Sequence, residues 1–270
     1  MELISLTPLD LSIATILVLL TALLSQRLAL GIERRLLIAA ARTVVQLLLL
    51  GLVLKSLFAQ SDPLFIAALA LFMLLVAGYE VMARQHRGFT GIWGIGIGTL
   101  SMFISSFSVT LLALTVIIGV EPWYSVQYLI PLLGMQLGNT MSGIAVSLDR
   151  LTQTAWEQRS QIEARLMLGH SWQEAIGEIR RNALRAGMIP IINAMAAAGV
   201  VSLPGMMTGQ ILAGSPPLEA AKYQILIMLL ISSGTGFGAT LAVWAGSRRL
   251  FDERQRLRLG RLRERISEKH

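Results

Sequence analysis

Residues 126–148, VQYLIPLLGMQLGNTMSGIAVSL, decide the fold of this chain. No charged side chain interrupts them, and about 20 mostly apolar residues are enough for a helix to cross a bilayer. The residues that follow, 149–186, are polar and rich in Arg and Glu. This pattern predicts a membrane span followed by a soluble region.

Six other stretches share this length and apolar character. They lie near residues 8–26, 36–57, 63–83, 92–118, 187–212 and 222–247. The chain is 54% hydrophobic and only 14% charged, with a mean hydropathy of +0.64, whereas a soluble domain has roughly 25% charged residues. We therefore predict an all-α polytopic membrane protein with about seven transmembrane helices, built as a single transmembrane domain over residues 1–270. Because the stretch 187–212 contains Pro190 and Pro204, it could break or re-enter the membrane, which leaves a count of six spans open.

Basic residues are distributed unevenly between the loops. With seven spans and the N-terminus outside, eleven Arg residues of the loops lie on the cytoplasmic side, and only Lys55 and Lys222 lie outside. Since Lys and Arg are retained on the cytoplasmic side, we expect the N-terminus outside and the C-terminus in the cytoplasm. The net charge of +7 also favours contact with membrane lipids that carry anionic head groups. Binding of nucleic acid is a poorer interpretation, because no aromatic residues alternate with the basic ones.

The two ends of the chain carry different signals. Residues 1–10 have no basic region, so a cleaved signal peptide is not expected, and Thr7, Pro8 and Asp10 instead predict a helix start. Residues 248–270 are predicted to form a basic cytoplasmic tail, which could continue the last helix as a solvated charged helix. The chain has no cysteine, which excludes disulfides and thiolate metal sites.

Small residues four positions apart recur within the spans. The pairs are Gly94 with Gly98, Gly134 with Gly138, Gly205 with Gly209, and Gly234 with Gly238. Such pairs allow close approach of a neighbouring helix, in this chain or in a second copy of it. The chain contains no Gly-x-x-x-x-Gly-Lys-Ser/Thr sequence, so it does not bind ATP by that motif.

Polar residues inside the predicted spans suggest function, because polar groups are costly in hydrocarbon. Arg42 and Gln46 lie four apart on one helix face, and Glu80 is the nearest plausible partner for Arg42, although Arg84 competes for it. Deeper polar residues are Ser101, Ser105, Ser106, Ser108, Gln136, Asn139, Asn193 and Gln210. As a set they predict a polar seam across the membrane, with simple helix-to-helix hydrogen bonding as the alternative.

The polar region 149–186 contains two helix starts of the Ser/Thr-x-x-Glu type. Thr154 with Glu157 is the first, and Ser171 with Glu174 is the second. Between them Gly169 predicts a left-handed helix end, so we expect a helix, a tight turn and a second helix.

Apolar residues recur at helical spacing through the same region. They are Ile162, Leu166, Trp172, Ile176 and Ile179. This apolar surface needs a cover, which either the rest of the chain or a soluble partner could provide.

The same region resembles a known motif. Glu163-Ala164-Arg165, followed by Gly169 and Ile179, is similar to the Glu-Ala-Ala, x3, Gly, x9, Ile motif of ABC transporter permeases, whose short coupling helix fits into a groove on the ATPase subunit. Arg165 stands at the second Ala position of that motif, and Arg181-Asn182 replaces its Leu-Pro. The resemblance implies that residues 149–186 form a cytoplasmic coupling region.

Three further segments extend the resemblance over nearly the whole chain. Residues 41–47 (ARTVVQL), 138–143 (GNTMSG) and 203–214 (LPGMMTGQILAG) are similar to the FetB-type permeases of iron-export ABC transporters, and to plant aluminium-tolerance permeases. The resemblance implies a multi-pass permease of the bacterial inner membrane that exports iron or another metal ion. It also implies a separate ATPase subunit that binds ATP with magnesium, a homodimer of permeases, and a chain that is itself no enzyme and binds no cofactor.

The resemblance also suggests roles for particular residues. Contacts with the ATPase would come from Glu163, Ala164, Gly169 and His170. The translocation path would be lined by Arg42, Gln46, Glu80, Asn139, Asn193 and Gln210. The metal would contact Met206 and Met207, for which packing is the alternative role. Because iron(II) favours imidazole and carboxylate ligands and no His lies in a span, we expect a weak, transient path rather than a tight site.

Other functions remain open at this point. A stand-alone secondary transporter or channel would show inverted halves with matching broken helices, and no such symmetry is visible. An ABC permease for a non-metal substrate, such as a sugar nucleotide, fits the same residues. An intramembrane enzyme is a poor fit, because the chain has no HExxH motif and no His at membrane depth beside a Ser.

Overall fold

The structure, a computed structural model, describes residues 7–59 and 62–264. These residues are mostly helical, with one small two-stranded sheet, which confirms the predicted all-α class. The chain divides into two units. The first contains the two N-terminal helices and Leu212–Gly214, and the second contains Pro63–Ile211 and residues 215–264.

The first unit is built from helices α1 (Pro8–Arg27) and α2 (Glu33–Ala59). Helix α1 begins as predicted. The Thr7 hydroxyl accepts a hydrogen bond from the Asp10 amide at 3.4 Å, and the Asp10 carboxylate accepts one from the Thr7 amide at 2.8 Å. This reciprocal cap satisfies backbone amides that the first helical turn leaves without partners.

The second unit contains the remaining elements. They are α3 (Pro63–Ala83), β1 (Arg87–Phe89), α4 (Ile92–Met102), a π-helix (Phe103–Phe107), α5 (Ser108–Leu112), a second π-helix (Ala113–Ile118), α6 (Val126–Glu157), α7 (Arg159–Met167), α8 (Trp172–Ala175), α9 (Gly177–Ala197), α10 (Gly205–Leu212), α11 (Pro217–Leu250), a 3₁₀ turn (Leu259–Arg261) and β2 (Leu262–Glu264). Strands β1 and β2 are antiparallel, with Phe89 opposite Leu262.

Six helical stretches of the described chain are long and apolar enough to cross a membrane. They are Leu9–Arg27, Glu33–Leu54, Pro63–Ala83, Ile92–Ile118, Val126–Glu157 and Pro217–Leu250. They correspond to six of the seven predicted spans, so the polytopic membrane fold is confirmed. Helix α6 continues to Glu157, although the sequence places the end of that span near residue 148.

The remaining predicted span, residues 187–212, is wrong as a single helix. Helix α9 begins earlier, at Gly177, and ends at Ala197, after which Gly199 has a φ of +79° and Pro204 precedes the separate helix α10. The charged residues in the first turns of α9 lower its mean hydropathy. The described residues therefore contain six helices that are long and apolar enough to span a membrane, which is the count that the sequence left open.

Helix α9 nevertheless lies along the membrane helices of its unit. Gly187 packs against Ser147 and Gly143 of α6, and further along α9 Ile191 shares an apolar cluster with Leu132 of α6. Residue numbers thus rise along α9 as they fall along α6, so the two helices are antiparallel. Helix α9 connects the end of the unit where α6 ends with the end where α11 begins.

The core of the second unit lies along α6, α9 and α11, and we call this contact the helix seam. Helices α6 and α11 run parallel, since Gly234 packs against Gln136 and Gly246 packs against Leu148. Small residues permit this close approach, because a Cβ at Gly187 would lie 2.5 Å from the Gly143 carbonyl oxygen.

The predicted glycine pairs have different environments. Gly234 and Gly238 pack against α6, and Gly94 and Gly98 lie in the contact of α4 with α3 and β1, as the four-residue spacing predicts. Gly134 faces Met73, whereas a Cβ added at Gly138, Gly205 or Gly209 would meet nothing within 4 Å among the described residues. Packing of the Gly205 pair against a second copy stays a prediction.

The C-terminal tail does not continue the last helix, so that prediction is wrong. Helix α11 ends at Leu250, Phe251 is extended, and the chain folds back until β2 pairs with β1. Phe251 is 1% exposed and Leu262 is 8% exposed, because these apolar residues pack into the core beneath the charged ones. Residues 265–270 of the predicted tail lie outside the described residues.

Candidate functional site

The most distinctive polar feature of the second unit is the turn between α7 and α8. We call residues 167–170 the coupling turn, and the end of the unit that carries it, together with β1 and β2, the basal end. Gly169 has a φ of +91°, and the amides of Gly169 and His170 donate to the carbonyls of Leu166 and Arg165 at 3.0 and 3.2 Å. Glycine adopts this left-handed backbone without the strain that a Cβ would add.

The second predicted helix start is confirmed. The Ser171 amide donates to the Glu174 carboxylate at 2.8 Å, and the Ser171 hydroxyl accepts from the Glu174 amide at 3.4 Å. The Ser171 amide, which is the largest cause, and the Ser171 hydroxyl both donate to the Glu174 carboxylate and lower its pKa. Helix α8 is only one turn long, and α9 begins directly after the buried residue Ile176.

The first predicted helix start, at Thr154, is wrong. Thr154 lies inside α6, and its carbonyl accepts a hydrogen bond from the Gln158 amide at 2.9 Å. The helix continues because Leu151 and Ala155 are fully buried against the core, which outweighs the local capping preference. The break between α6 and α7 falls at Gln158.

The chain itself covers most of the apolar surface predicted for this region. Ile162, Ile176 and Ile179 are buried in the main core cluster, and Leu166 and Trp172 pack against it. Two apolar residues that the sequence analysis did not single out remain uncovered at the tip. Met167 is 82% exposed and Leu168 is 80% exposed.

The four residues predicted to contact an ATPase lie together around this tip. Glu163 and Ala164 are exposed on α7, and Gly169 and His170 are exposed in the coupling turn. His170 is also near α8, with its Nδ1 3.9 Å from the Glu174 carboxylate. The structure thus brings together the residues that the motif suggested, without testing their role.

The tail packs against the base of the coupling turn. The ring of Phe251 lies 5.7 Å from that of Trp172, and the Gln255 side-chain oxygen accepts a hydrogen bond from the Trp172 amide at 3.0 Å. These contacts join residues far apart in the sequence, which is why local patterns did not reveal them.

Asp252 organises the loop that carries Gln255, and we call residues 252–258 the tail loop. Its carboxylate accepts hydrogen bonds from the amides of Arg254 and Arg256 at 3.0 and 2.9 Å, and from the Arg256 and Arg258 guanidinium groups at 2.8 and 3.0 Å. The pKa of Asp252 is lowered to about 2, chiefly because the Arg256 amide donates to the ionised form.

A cleft of about 680 Å³ separates the coupling turn from the tail loop. It is lined by Glu163, Leu166, Met167, Gly169, His170, Ser171, Arg254, Gln255, Arg256 and Leu257. The cleft is open to solvent, and it presents apolar and acidic groups on the side of α7 and basic groups on the side of the tail.

The remaining parts of the basal end are tied to α6. The His86 amide donates to the Asp149 carboxylate at 2.7 Å, and the Arg87 guanidinium lies 4.3 Å from the centre of the Trp156 ring. Across the coupling region, Arg165 lies 3.5 Å from the Glu178 carboxylate. These contacts hold the connection after α3 against α6, and α7 against α9.

Part of the predicted polar seam is present in the core. Ser101, Ser105, Ser106 and Gln136 are buried, and the sequence analysis missed three neighbours, Thr140, Ser147 and Thr235, that are buried with them. Thr140 and Ser147 follow Gln136 on α6 at successive intervals of four and seven residues, and glycines of α9, α11 and α6 face Ser147, Thr140 and Thr235. These helical intervals and the facing glycines are the signal that could have identified them. Several of these side chains have buried polar atoms without a hydrogen-bond partner among the described residues: Ser106, Gln136, Thr140, Ser147 and Thr235.

Other predicted path residues lie outside this buried seam. Asn139 is exposed and its side-chain amide donates to the Met135 carbonyl of its own helix at 2.9 Å, and Asn193 is exposed on α9. Gln210 lies on α10, where its side-chain oxygen is buried without a hydrogen-bond partner in the described chain.

The predicted charged pair remains untested. Arg42 and Gln46 are exposed on α2 of the first unit, whereas Glu80 lies in the second unit. Glu80 is 3.9 Å from Arg84, which is the competing contact expected from their spacing. The pairing of Arg42 with Glu80 stays a prediction.

The two methionines suggested as metal contacts lie on α10. Met206 is half-buried and packs against an apolar cluster that includes Ile191 and Ile227, and Met207 is also half-buried. The packing of Met206 supports the alternative role. Within residues 7–59 and 62–264, no group of three or more His, Asp or Glu residues could hold a metal ion.

Comparison with known proteins identifies the family. Residues 8–251 match the family described as "Uncharacterised protein family (UPF0014)". The chain belongs to the UPF0014 family. A UPF0014 membrane protein of Synechocystis, slr1647, is 39% identical over 84% of this chain and 87% of its own length. No solved structure matches the chain.

Two relatives have names that refer to metals. The Escherichia coli protein named "Probable iron export permease protein FetB" is 29% identical over 94% of this chain and 96% of its own length. The Arabidopsis thaliana protein named "Protein ALUMINUM SENSITIVE 3" is 32% identical over 82% of this chain and 80% of its own length. The resemblance of this UPF0014 protein to FetB-type permeases is thereby confirmed.

Proposed function

We propose that this protein is the permease subunit of an ATP-driven ABC transporter that exports iron or another metal ion. A separate ATPase subunit binds ATP with magnesium, and two copies of the permease form the membrane part. The basal end faces the cytoplasm of a bacterial inner membrane, with the N-terminus outside. This chain serves as a non-enzymatic subunit.

The observation that carries the proposal is the exposed, capped turn at the basal end. Met167 and Leu168 are about four-fifths exposed, so a partner can bind both side chains directly. Gly169 and the Ser171 cap hold these residues in a fixed conformation, so little ordering is needed on binding.

The same turn is connected to the membrane helices almost without a break. Only Gln158 separates α7 from α6, and only Ile176 separates α8 from α9. Displacement of the turn by a closing ATPase would therefore tilt α6 and α9, which pack along each other through Gly143 and Gly187. Rigid-body movement of packed helices is a common way to transmit such a change.

The orientation is supported by charge. The basal end carries Arg residues from four segments, including Arg84, Arg159, Arg181 and Arg254, whereas Lys222 lies near the start of α11 at the opposite end of the unit. Basic residues accumulate on the cytoplasmic side.

The cargo is supported by the name of the Escherichia coli relative. The buried oxygen-bearing side chains around Gln136 offer weak contacts to a cation in transit, which suits a carrier that must release its cargo. Iron(II) is therefore the first ion to test as a substrate.

Replacement of Gly169 by Trp tests the proposal. The permease and its co-purified ATPase subunit are reconstituted in vesicles, and ATP hydrolysis and iron(II) movement are measured together. We expect Gly169→Trp to leave the protein inserted but to abolish the link between hydrolysis and transport, because the turn loses its left-handed glycine and its shape.

Gly96→Trp is the matched control, since Gly96 lies in a membrane helix and a Cβ there would meet none of the described residues within 4 Å. Normal transport by Gly169→Trp would contradict the coupling role. Iron movement without any ATPase subunit would favour a secondary transporter instead.

A further inference from the structure

We propose that the ATPase subunit docks on a composite surface formed by the coupling turn and the tail loop together. This inference rests on the proposed function, and it assigns the C-terminal segment a direct part in the contact. The tail loop then supplies one wall of the docking site and the coupling turn supplies the other.

The tail loop is held in place by several directional contacts. Asp252 accepts hydrogen bonds from two amides and two guanidinium groups of the loop. Gln255 and Phe251 attach the loop to Trp172, and β2 fixes the chain beyond it against β1. A segment with this many directional contacts forms a defined surface rather than a solvated tail.

The coupling turn and the tail loop border the same cleft. Met167 and His170 line one wall, and Arg254 and Leu257 line the other. A partner that seats a side chain between them therefore contacts both. An ATPase groove that encloses the coupling turn would therefore also contact the tail loop.

The coupling turn alone is small for a stable protein–protein interface. Stable interfaces bury about 800 Å² on each partner, contributed by roughly 20–30 residues. The coupling turn alone has four residues, two of which are largely exposed and apolar. The exposed residues of α7 and of the tail loop enlarge the surface that a partner can contact.

Charge indicates the chemistry of the partner. The apolar tip, Met167 and Leu168, is bordered on the tail side by the exposed residues Arg254 and Arg256. The complementary partner surface has an apolar groove with carboxylates along the edge that faces the tail loop. The Glu163 side of the turn fits neutral or basic groups of that partner.

Single cysteines can test this contact, because the chain has none of its own. A photoactivatable benzophenone maleimide is attached to Leu168→Cys or to Arg254→Cys in the full-length permease with its ATPase subunit. We expect both to form a covalent adduct that contains the ATPase, as identified by mass spectrometry. Leu218→Cys, 70% exposed at the start of α11, is the control and should form no such adduct.

The outcomes separate the two proposals. An adduct from Leu168→Cys without one from Arg254→Cys overturns the composite surface and leaves the proposed function standing. Adducts from neither position, in a preparation where the ATPase co-purifies, contradict both. An adduct from Leu218→Cys would show that the labelling lacks specificity for the basal end and would likewise overturn the assignment.

Affinity provides a second measurement. We expect Arg254→Glu to weaken binding of the ATPase by about tenfold at low ionic strength, because the substitution reverses a charge at the edge of the interface. The effect should be smaller at high salt, since salt screens exposed charges. Arg150→Glu, exposed on α6 outside the cleft, is the charge-matched control. An unchanged Kd for Arg254→Glu contradicts a contact through the tail loop.

Discussion

The helix seam and the basal end are stabilised in different ways. Along the seam, glycines of α9 and α11 lie against Gly143 and Gln136 of α6, and buried hydroxyl and amide groups lack hydrogen-bond partners in the described chain. At the basal end, directional contacts dominate, such as the Ser171 cap and the Asp252 cluster. The seam therefore depends on shape, and the basal end depends on hydrogen bonds and charge.

This difference suits a protein that transmits movement from one region to the other. Surfaces that meet through small residues and few hydrogen bonds can slide or tilt at modest cost. A region fixed by caps and ion pairs moves as a body. Substitutions that change volume should act on the seam, and substitutions that change backbone geometry or charge should act on the basal end.

The largest effect is expected for Gly187→Leu. A Cβ at this position would overlap the Ser147 side chain and lie 2.5 Å from the Gly143 carbonyl oxygen. Separation of α9 from α6 should lower the free energy of unfolding by about 3 kcal/mol. Thermal unfolding in detergent measures the loss. Gly138→Leu is the control, because a Cβ at Gly138 would meet no atom of residues 7–59 or 62–264 within 4 Å. Equal stability of the two variants would contradict the importance of shape at the seam.

An intermediate effect of opposite sign is expected for Gln136→Leu. Gln136 is 2% exposed, and neither its amide nitrogen nor its oxygen has a hydrogen-bond partner among the described residues. Removal of this buried polar group should raise the free energy of unfolding by about 2 kcal/mol. The same variant should slow metal transport if the seam provides the path.

Gln127→Leu, exposed on the same helix, is the matched control. A melting temperature that falls for Gln136→Leu but not for Gln127→Leu would indicate that the amide makes a stabilising contact. Transport at the normal rate would place the path elsewhere.

A smaller effect on stability is expected for Gly169→Ala. The φ of +91° is unfavourable for a residue with a Cβ, so this change should cost about 1 kcal/mol. Gly169→Ala should also reduce the stimulation of ATP hydrolysis by metal, because it displaces Met167 and Leu168 at the tip of the coupling turn. Gly177 has no such backbone constraint, so Gly177→Ala should retain both the stability and the metal-stimulated ATP hydrolysis. A loss of these two properties in Gly177→Ala but not in Gly169→Ala would contradict the coupling role of the turn.

The smallest effect concerns pH. The pKa of Asp252 falls from 3.8 to about 2 on folding, so its stabilising contribution is fully present above 3.8 and is lost only as the pH falls through about 2. Hydrogen exchange of the tail loop, corrected for intrinsic rates, should therefore be constant between about pH 5 and 8. Asp252→Asn should accelerate exchange of the Arg254 and Arg256 amides, whereas unchanged exchange would contradict the role of the carboxylate.

Periodicity and local capping predicted much of the fold. Apolar length located the spans, and Thr7 and Ser171 correctly marked helix starts, because these signals act within one helical turn. The same reasoning failed at Thr154, where burial of Leu151 and Ala155 extends α6 through a favourable capping sequence. The span predicted at residues 187–212 begins too late in the chain. Helix α9, which packs along α6, already begins at Gly177, and the charges of its first turns kept those turns out of the apolar stretch.

The candidate site was predictable in part. The motif located Glu163 and Gly169. The glycine was recognisable because the left-handed backbone at that position, with a φ of +91°, favours glycine. The tail loop could not be predicted, since Phe251 and Gln255 meet Trp172 across a long sequence separation that no local pattern records. Thr235 was missed because the run Ser232-Ser233-Gly234-Thr235-Gly236 does not by itself show which residue faces Gly143 of α6.

The pairing of β1 with β2 also constrains biosynthesis. At the usual rate of about 5–20 residues per second, Leu262 is added about 10–35 s after Phe89, to which it is paired. The basal end can thus close only after the last apolar helix has been translated. A polypeptide released early would have time to insert its helices, yet it would lack the strand that completes the sheet.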